Sequence, residues 1–430
     1  MDAVRLPLVH DALLDRTDEE DEAGRLLLAL LSYAAPVEAA RLRRLVPGVV
    51  DALLAVGLVS QRGEELRSPY RTLPLAGLVV VADDPSAGPE AVAAPSGVTE
   101  RLVEQLPASF NGVVADIGCG PGTLAMVAAE RGAHAIGTDV SPRAMAFADF
   151  NCILNHVDVE LRTGHLGAPL ADAEVDLLVS QPPFMAALEA GASYVSFHGG
   201  PVGDELAIEL VGDLARVLAP EGLAVIRFDS PSGVGEIVHR LDGRNLDLVG
   251  FVAPSGSVDE VAVMSASLED PSLGPRYVQS VPRYRRHLTR TTPHGRRTQL
   301  LLLARHGQTG AQTLAVDALP RHWTGMERFL RGIDAARLPD EHLERLTLYP
   351  AAGSILVHEE DLRAHNERWW VRLPPASFGA NSEVQTAAGP ILRAFSGGVI
   401  VSAVMAAFPG EDQDVRLFAR QALARGLLTA

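Results

Sequence analysis

Apolar positions along the chain change period twice. Near the N-terminus they recur at helical spacing, predicting helices over 26–31, from Pro36 through Arg41, Arg43 and Arg44, and over 49–56, ended by Gly57. Residues 58–60, a turn at Arg62-Gly63 and residues 66–73 then read as a short hairpin, so 1–95 is expected to be a helical domain of winged-helix-like order. Turn formers at 83–89 read as its linker.

From about 96 to 308 short buried apolar runs alternate with amphipathic stretches. Strands are expected at 113–117, 135–138, 157–162, 175–180, 222–228 and 300–304, and helices at 124–131, 143–155 and 207–218. Such alternation builds βαβ units around a largely parallel sheet. Residues 246–252 and 261–265 both qualify as late strands, which leaves the end of this domain open by about ten residues around 308. The remainder, 309–430, is less regular, carries Trp323, Trp369 and Trp370, and closes on packed helices at 391–395, 399–408 and 415–425. Its end, 422–428, echoes 50–59, either as the end of a second winged-helix-like unit or as two helices closed by glycine.

Composition narrows the chemistry. All 37 basic residues are arginines, so lysine Schiff-base catalysis and a lysine P-loop are excluded. A formal charge of −17 disfavours a general nucleic-acid binder, which needs a cationic surplus. Cys119 and Cys152 are the only cysteines, without zinc spacing. The acidic opening 1–22 lacks leader character, and no apolar run approaches the roughly 18 residues of a membrane span, so the expectation is a cytoplasmic protein without membrane contact. One stretch departs from the acidic average. Pro271 to Val316 holds no Asp or Glu but carries Arg276, Arg283, Arg285, Arg286, Arg290, Arg296, Arg297 and Arg305, with Tyr277 and Tyr284. It is either a substrate-holding patch or a solvated face paired with acids elsewhere.

The chemistry-bearing signal is Asp116-Ile117-Gly118-Cys119-Gly120-Pro121-Gly122, between a buried strand and a helix, with Asp139 ending the next strand. Alternate glycines allow a tight turn and close ligand approach at a helix N-terminus, and the terminal acid is placed to hold ribose hydroxyls. This D-x-G-x-G-x-G order resembles the class I S-adenosylmethionine-dependent methyltransferases over roughly 96–308. The resemblance implies a Rossmann-like methyltransferase sheet flanked by the winged-helix-like N-terminal domain and a C-terminal α+β or winged-helix-like domain. It implies S-adenosyl-L-methionine as cofactor, S-adenosyl-L-homocysteine as product and no metal. The implied cofactor contacts are Asp116, Gly118, Cys119, Gly120, Gly122, Asp139, Val140, His165 and Gln181. At His165 the family often carries an acid that meets the adenine.

The fourth strand ends in Gln181-Pro182-Pro183-Phe184, resembling the [N/D]-P-P-[Y/F] motif of methyltransferases that modify amine and amide nitrogens. There the polar residue accepts a hydrogen bond from the target –NH2, the prolines expose a carbonyl, and the aromatic ring stacks on the planar group, which is catalysis by positioning. Glutamine in the first position reaches one methylene further. Asn151 and Asn155 resemble an N-x-x-x-N pattern of the same subset, and 197–204 resembles its glycine-rich segment, with His198 as candidate general base. The expected catalytic set is Gln181, Pro182, Phe184 and His198. The expected activity is methyl transfer to nitrogen of a small molecule or peptide-like natural-product substrate. The alternatives are RNA, DNA or protein-glutamine methylation, and a non-catalytic cofactor-sensing regulator that binds DNA. Flanking domains in such enzymes serve as recognition or dimerisation caps, which makes a homodimer an expectation as well.

Overall fold

The computed structural model describes residues 22–188, 196–231, 245–270, 273–292, 296–307, 310–361, 366–374, 377–384 and 388–430. The leader reading of residues 1–21 and parts of the arginine stretch (271–272, 293–295 and 308–309) lie outside them.

The N-terminal module runs α1 (Glu22–Ser32), β1 (Val37–Glu38), α2 (Ala39–Leu45), α3 (Val49–Ala55), β2 (Ser60–Arg62) and β3 (Glu65–Arg67), with sheet order β1-β3-β2. Leu26, Leu30, Leu42, Val50 and Leu66 fill its small core. The expected single hairpin is in fact two. After a break held by Ser68, whose hydroxyl donates to Leu58 and Tyr70 carbonyls, β4 (Tyr70–Leu75) and β5 (Leu78–Asp83) form a second hairpin. That second hairpin serves the central domain.

The central sheet forms where the apolar runs are. Its elements are α4 (Gly97–Glu104), β6 (Val113–Ile117), α5 (Thr123–Glu130), β7 (His134–Asp139), α6 (Pro142–Asn155), β8 (Glu160–Thr163) and β9 (Val175–Ser180). There follow the short strands β10 (Met185–Ala186) and β11 (His198–Gly200), then α7 (Glu205–Val217), β12 (Leu218–Ser230), β13 (Leu246–Ser257), α8 (Val258–Glu269), α9 (Pro275–Thr291), β14 (Arg296–His306) and β15 (Ala311–Ala315). Eight strands pair in the order β15-β13-β14-β12-β9-β6-β7-β8, and only β14 runs antiparallel to its neighbours. Odd and even positions of each strand bury on opposite faces. Val114, Val179, Val225 and Leu301 meet Leu102, Met126, Met326 and Phe329 on one face, while Ala115, Leu178, Ile226 and Leu302 meet Leu210, Val211 and Leu214 of α7 on the other.

Residues 261–265, a candidate strand by composition, are helical. Ser257 accepts from the Glu260 amide and Glu260 reaches back to the Ser257 amide, a capping box that starts α8 and overrides β-branched propensity. The sheet also continues beyond 308, because β15 pairs in parallel with β13. α10 (Trp323–Ala336) follows and packs into the same core, where Phe251, Phe329 and Phe378 cluster edge to face.

The last module comprises α11 (Asp340–Leu343), β16 (Thr347–Pro350), β17 (Ile355–Asp361), β18 (Asn366–Arg372), β19 (Ser382–Val384), α12 (Gly389–Ala394), β20 (Val399–Ile400), α13 (Val401–Ala407), α14 (Asp412–Ala424) and β21 (Leu428–Thr429). The strands at 347–384 supply the sheet of a region that the sequence reads only as less regular. The order α12-β20-α13-α14-β21 repeats α1-β1-α2-α3-β2, and in each sheet the middle place goes to another strand, β16 here and β3 there. The echo between 422–428 and 50–59 falls at equivalent positions, each closed by a glycine of positive φ, Gly57 and Gly426.

Asn151 and Asn155 explain how the second hairpin is held. Asn151 accepts from the Val81 amide at 2.9 Å and donates to the Val81 and Pro121 carbonyls, while Asn155 does the same for Val79 in both directions at 2.8 Å. Four helical residues rise about 6 Å, close to the two-residue repeat of a strand, so the pair acts as a substitute β partner. Asn151→Ala would strand buried backbone groups. It is expected to cost about 2–4 kcal/mol and to loosen Pro121 in the glycine loop, lowering S-adenosylhomocysteine affinity roughly tenfold. Asn155→Ala should lower the melting temperature less and leave that affinity unchanged. Melting curves and calorimetric titrations of both variants check this.

Candidate active site

The glycine loop leaves the carboxyl end of β6, at the centre of the parallel strands, where ligands bind in open α/β sheets. Gly118, Gly120 and Gly122 all have positive φ (72°, 52° and 82°), so the loop winds tightly into the N-terminus of α5. Asp116 is buried beneath it, with its carboxyl accepting from the Ala125 amide at 3.2 Å. It braces the loop from below. Asp139 ends β7 beside it, accepting from Gly120 at 3.0 Å and from Ser141 at 2.8 Å. Cys119 turns inward towards Gly137, and its thiol is pushed well up by burial and by Asp116. Val140, next to Asp139, is exposed although apolar.

Burial, with Asp139 as a smaller repulsive contribution, pushes Asp116 up to about 7. A carboxyl that holds its proton more tightly in the folded than in the unfolded chain stabilises fully below the unfolded value of 3.8, and that stability is lost as pH rises through about 7. Asp116→Asn keeps an acceptor for Ala125 and cannot ionise. Its melting temperature relative to the parent should therefore climb by several degrees between pH 4 and pH 8. A difference that is flat with pH contradicts the assignment.

The residues present fit a nucleoside-bearing cofactor. Space is open where a Cβ on Gly118 would project, Thr123 Oγ1 at the helix start is buried without a partner, and Asp139 offers carboxylate oxygens at the strand end. His165, two residues past the end of β8, is exposed and paired with Glu209 at 2.9 Å. Among the described residues no cluster of His, Cys, Asp or Glu could hold a metal, and no helix is long and apolar enough to cross a membrane.

Gln181 follows β9, half-buried, and its carboxamide makes no hydrogen bond among the described residues. Pro182 is buried, and Phe184 packs half-buried against the α7 face of the core. The motif is locked from behind by Arg297, a buried residue whose guanidinium donates to the carbonyls of Phe184, Val202 and Asp229. β10 and β11 pair in parallel and bring His198 beside Met185. His198 Nε2 lies 3.3 Å from the Tyr284 hydroxyl, which donates to Glu269 at 2.6 Å. Since the hydroxyl proton is committed to Glu269, the phenolic oxygen accepts from Nε2–H. This leaves Nδ1 as the lone-pair nitrogen, and it is buried without a partner. Burial lowers the His198 pKa, which keeps the ring neutral and able to take a proton.

Tyr284, Glu269 and Arg297 escaped the sequence reading as site residues. Tyr284 and Arg297 were visible within the acid-free stretch, but nothing local marks them as reaching residues some 80 to 110 positions away.

Residues 96–196 match the family model of the methyltransferase small domain. Over that stretch the central domain is similar to class I methyltransferase domains. Among proteins of similar sequence, the release factor glutamine methyltransferase of Geobacter sulfurreducens is 37% identical over 142 residues, covering 31% of this chain and 48% of that protein. The corresponding enzyme of Cereibacter sphaeroides is 33% identical over 189 residues, 40% of this chain and 63% of that one. The ribosomal protein L11 methyltransferase of Geobacter metallireducens is 48% identical over 62 residues, 14% and 19% of the two chains. The chain spans about half the length of the curated relatives it matches.

Proposed function

We propose that the protein transfers a methyl group from S-adenosylmethionine to an amide nitrogen of a protein or peptide substrate, a glutamine side chain above all. The observation that carries this is the uncommitted Gln181 carboxamide at the end of β9, level with the glycine loop's Gly118 one residue past the Ile117–Ser180 pair, with a neutral histidine beside the following turn. The small-molecule acceptor expected first from the sequence has less support than the protein-glutamine alternative, because the relatives are named for protein substrates.

When bound, the cofactor supplies an electrophilic methyl on a sulfonium. In this reading Asp139 and the glycine loop orient it. The Gln181 oxygen accepts one N–H of the acceptor, aligning the nitrogen lone pair for in-line attack. On transfer of that methyl, the second amide proton would pass to His198 Nδ1. The Tyr284–Glu269 pair holds that tautomer. The terminal modules, alike in helix–strand order, are read as winged-helix-like caps that present the substrate.

Full-length protein incubated with methyl-labelled cofactor and fractionated bacterial lysate tests the reading. Label is expected in the protein fraction and, since amide hydrolysis frees the substituted nitrogen, should be released by acid as methylamine. Label confined to RNA or to small molecules overturns the acceptor assignment. No transfer to any fraction, together with a cofactor-dependent DNA mobility shift, would favour a regulator instead.

A further inference from the structure

Arg227 is an anomaly in the sheet. It is 4% exposed, yet among the described residues its guanidinium makes one long hydrogen bond, 3.4 Å to the Gln299 carboxamide, and Nη1 is buried with no partner. A guanidinium has five N–H donors, and a buried cation without a counter-charge costs several kcal/mol. The charges near it add to the cost. Arg101 and Arg321 repel it, while Asp229, which attracts it, is shared with Arg297 and bonded to Ser255. Burial foremost, with Arg101 and Arg321 against the opposing pull of Asp229, lowers its pKa to about 10.

Its place in the fold gives this arrangement a use. Ile226 pairs with Ser180, so Arg227 is one residue further, level with Gln181 at the carboxyl end of the neighbouring strand. Alternation along β12 puts it on the face of Val225, which is also the face of Val179 and Val114 and therefore of the glycine loop's helix. β6, which carries the loop, is on the far side of β9, so Arg227 lies on the opposite side of Gln181 from the cofactor strand. Three parts of the chain converge here: half-buried Arg101 from α4, Arg227 from β12 and half-buried Arg321 from the approach to α10. Gln105 holds the first and third together by donating to the Pro320 carbonyl at 2.8 Å, and its own Oε1 is buried and unpartnered.

We propose that Arg227, flanked by Arg101 and Arg321, is an anion subsite that takes a carboxylate of the methyl acceptor, such as an acidic side chain or chain terminus beside the methylated amide. The planar guanidinium fork matches a carboxylate bidentately, and the acceptor's charge supplies the partner the folded chain withholds. The inference rests on the proposed acceptor position at Gln181.

The test uses full-length protein saturated with S-adenosylhomocysteine, melted in rising sodium malonate against sodium chloride of equal ionic strength. Malonate is expected to raise the melting temperature of the parent saturably by several degrees. Arg227→Met should abolish that response, melt no lower than the parent without malonate, and bind S-adenosylhomocysteine within about threefold of it. Arg227→Gln, which keeps a polar group, serves if the Met variant does not fold. A parent that responds no more to malonate than to chloride, or a variant that keeps the response, overturns the subsite. If the substitution weakens S-adenosylhomocysteine but spares 5′-methylthioadenosine, which lacks a carboxylate, the cation belongs to the cofactor and the acceptor assignment falls. Failure of the parent to bind S-adenosylhomocysteine at all counts against the proposed function and is seen before malonate is added.

Discussion

Gly118→Ala is expected to weaken S-adenosylhomocysteine binding about 100-fold while costing only about 1–2 kcal/mol of stability, the strain of a side chain at positive φ. A Cβ built at Gly118, where φ is 72°, meets no atom within 4 Å, so the added methyl disturbs nothing in the protein and projects into the space assigned to the ligand. Gly122 provides the contrast. Its Cβ would approach Ala148 Cβ at 3.1 Å and Cα at 3.3 Å, a packed helix surface that cannot yield far. Gly122→Ala should therefore lose stability foremost and show its effect in melting curves. Calorimetric titration beside melting separates the two. Equal loss of affinity and stability at both positions would mean the loop is only a structural turn.

Gln181→Ala should lower kcat by about 10²–10³ while leaving S-adenosylhomocysteine affinity within about threefold, because the carboxamide acts by orienting the acceptor and not by holding the cofactor. Single-turnover label transfer, with cofactor titration on the same preparation, measures both. A fall in cofactor affinity that accounts for the whole rate loss would move Gln181 from the acceptor to the cofactor. His198→Ala provides a weaker companion effect, since an amide proton can also leave to water.

The legible parts of this protein were those in which sequence neighbours are also structural neighbours. The runs at 113–117, 175–180 and 222–228 are strands because they are mostly apolar and buried on both faces, and the glycine loop could be read because strand, turn and helix are consecutive. The hairpin at 70–83 was misplaced for the opposite reason. Its partner is a pair of asparagines 70 and 76 residues away, and no local signal separates a strand that ends one domain from one that edges the next. The apparent linker after it is anchored too, with Asp83 buried and ion-paired to Arg143. The 261–265 segment could have been read correctly, since the capping box at Ser257 and Glu260 stands in the sequence. Arg227 could not. Arginine in an otherwise apolar strand shows that something unusual is buried, but the lack of a partner is a property of the folded chain alone.

The same contrast separates the site's two halves. Asp116, the glycines and Asp139 belong to one continuous βαβ unit, and their arrangement follows from connectivity. The half proposed for the acceptor is assembled from β9, β11, α8, α9 and the buried Arg297, elements brought together by the completed sheet. A substitution in that half is accordingly expected to change which acceptor is used more readily than whether the cofactor binds.

The account stands on cofactor capture at the carboxyl ends of β6 and β7. Titrating S-adenosylhomocysteine into the full-length protein tests that most directly. The prediction is saturable binding at one site per chain, weakened about 100-fold by Gly118→Ala and retained on Gln181→Ala. No saturable heat up to about 1 mM, a free energy weaker than about 4 kcal/mol, would contradict it.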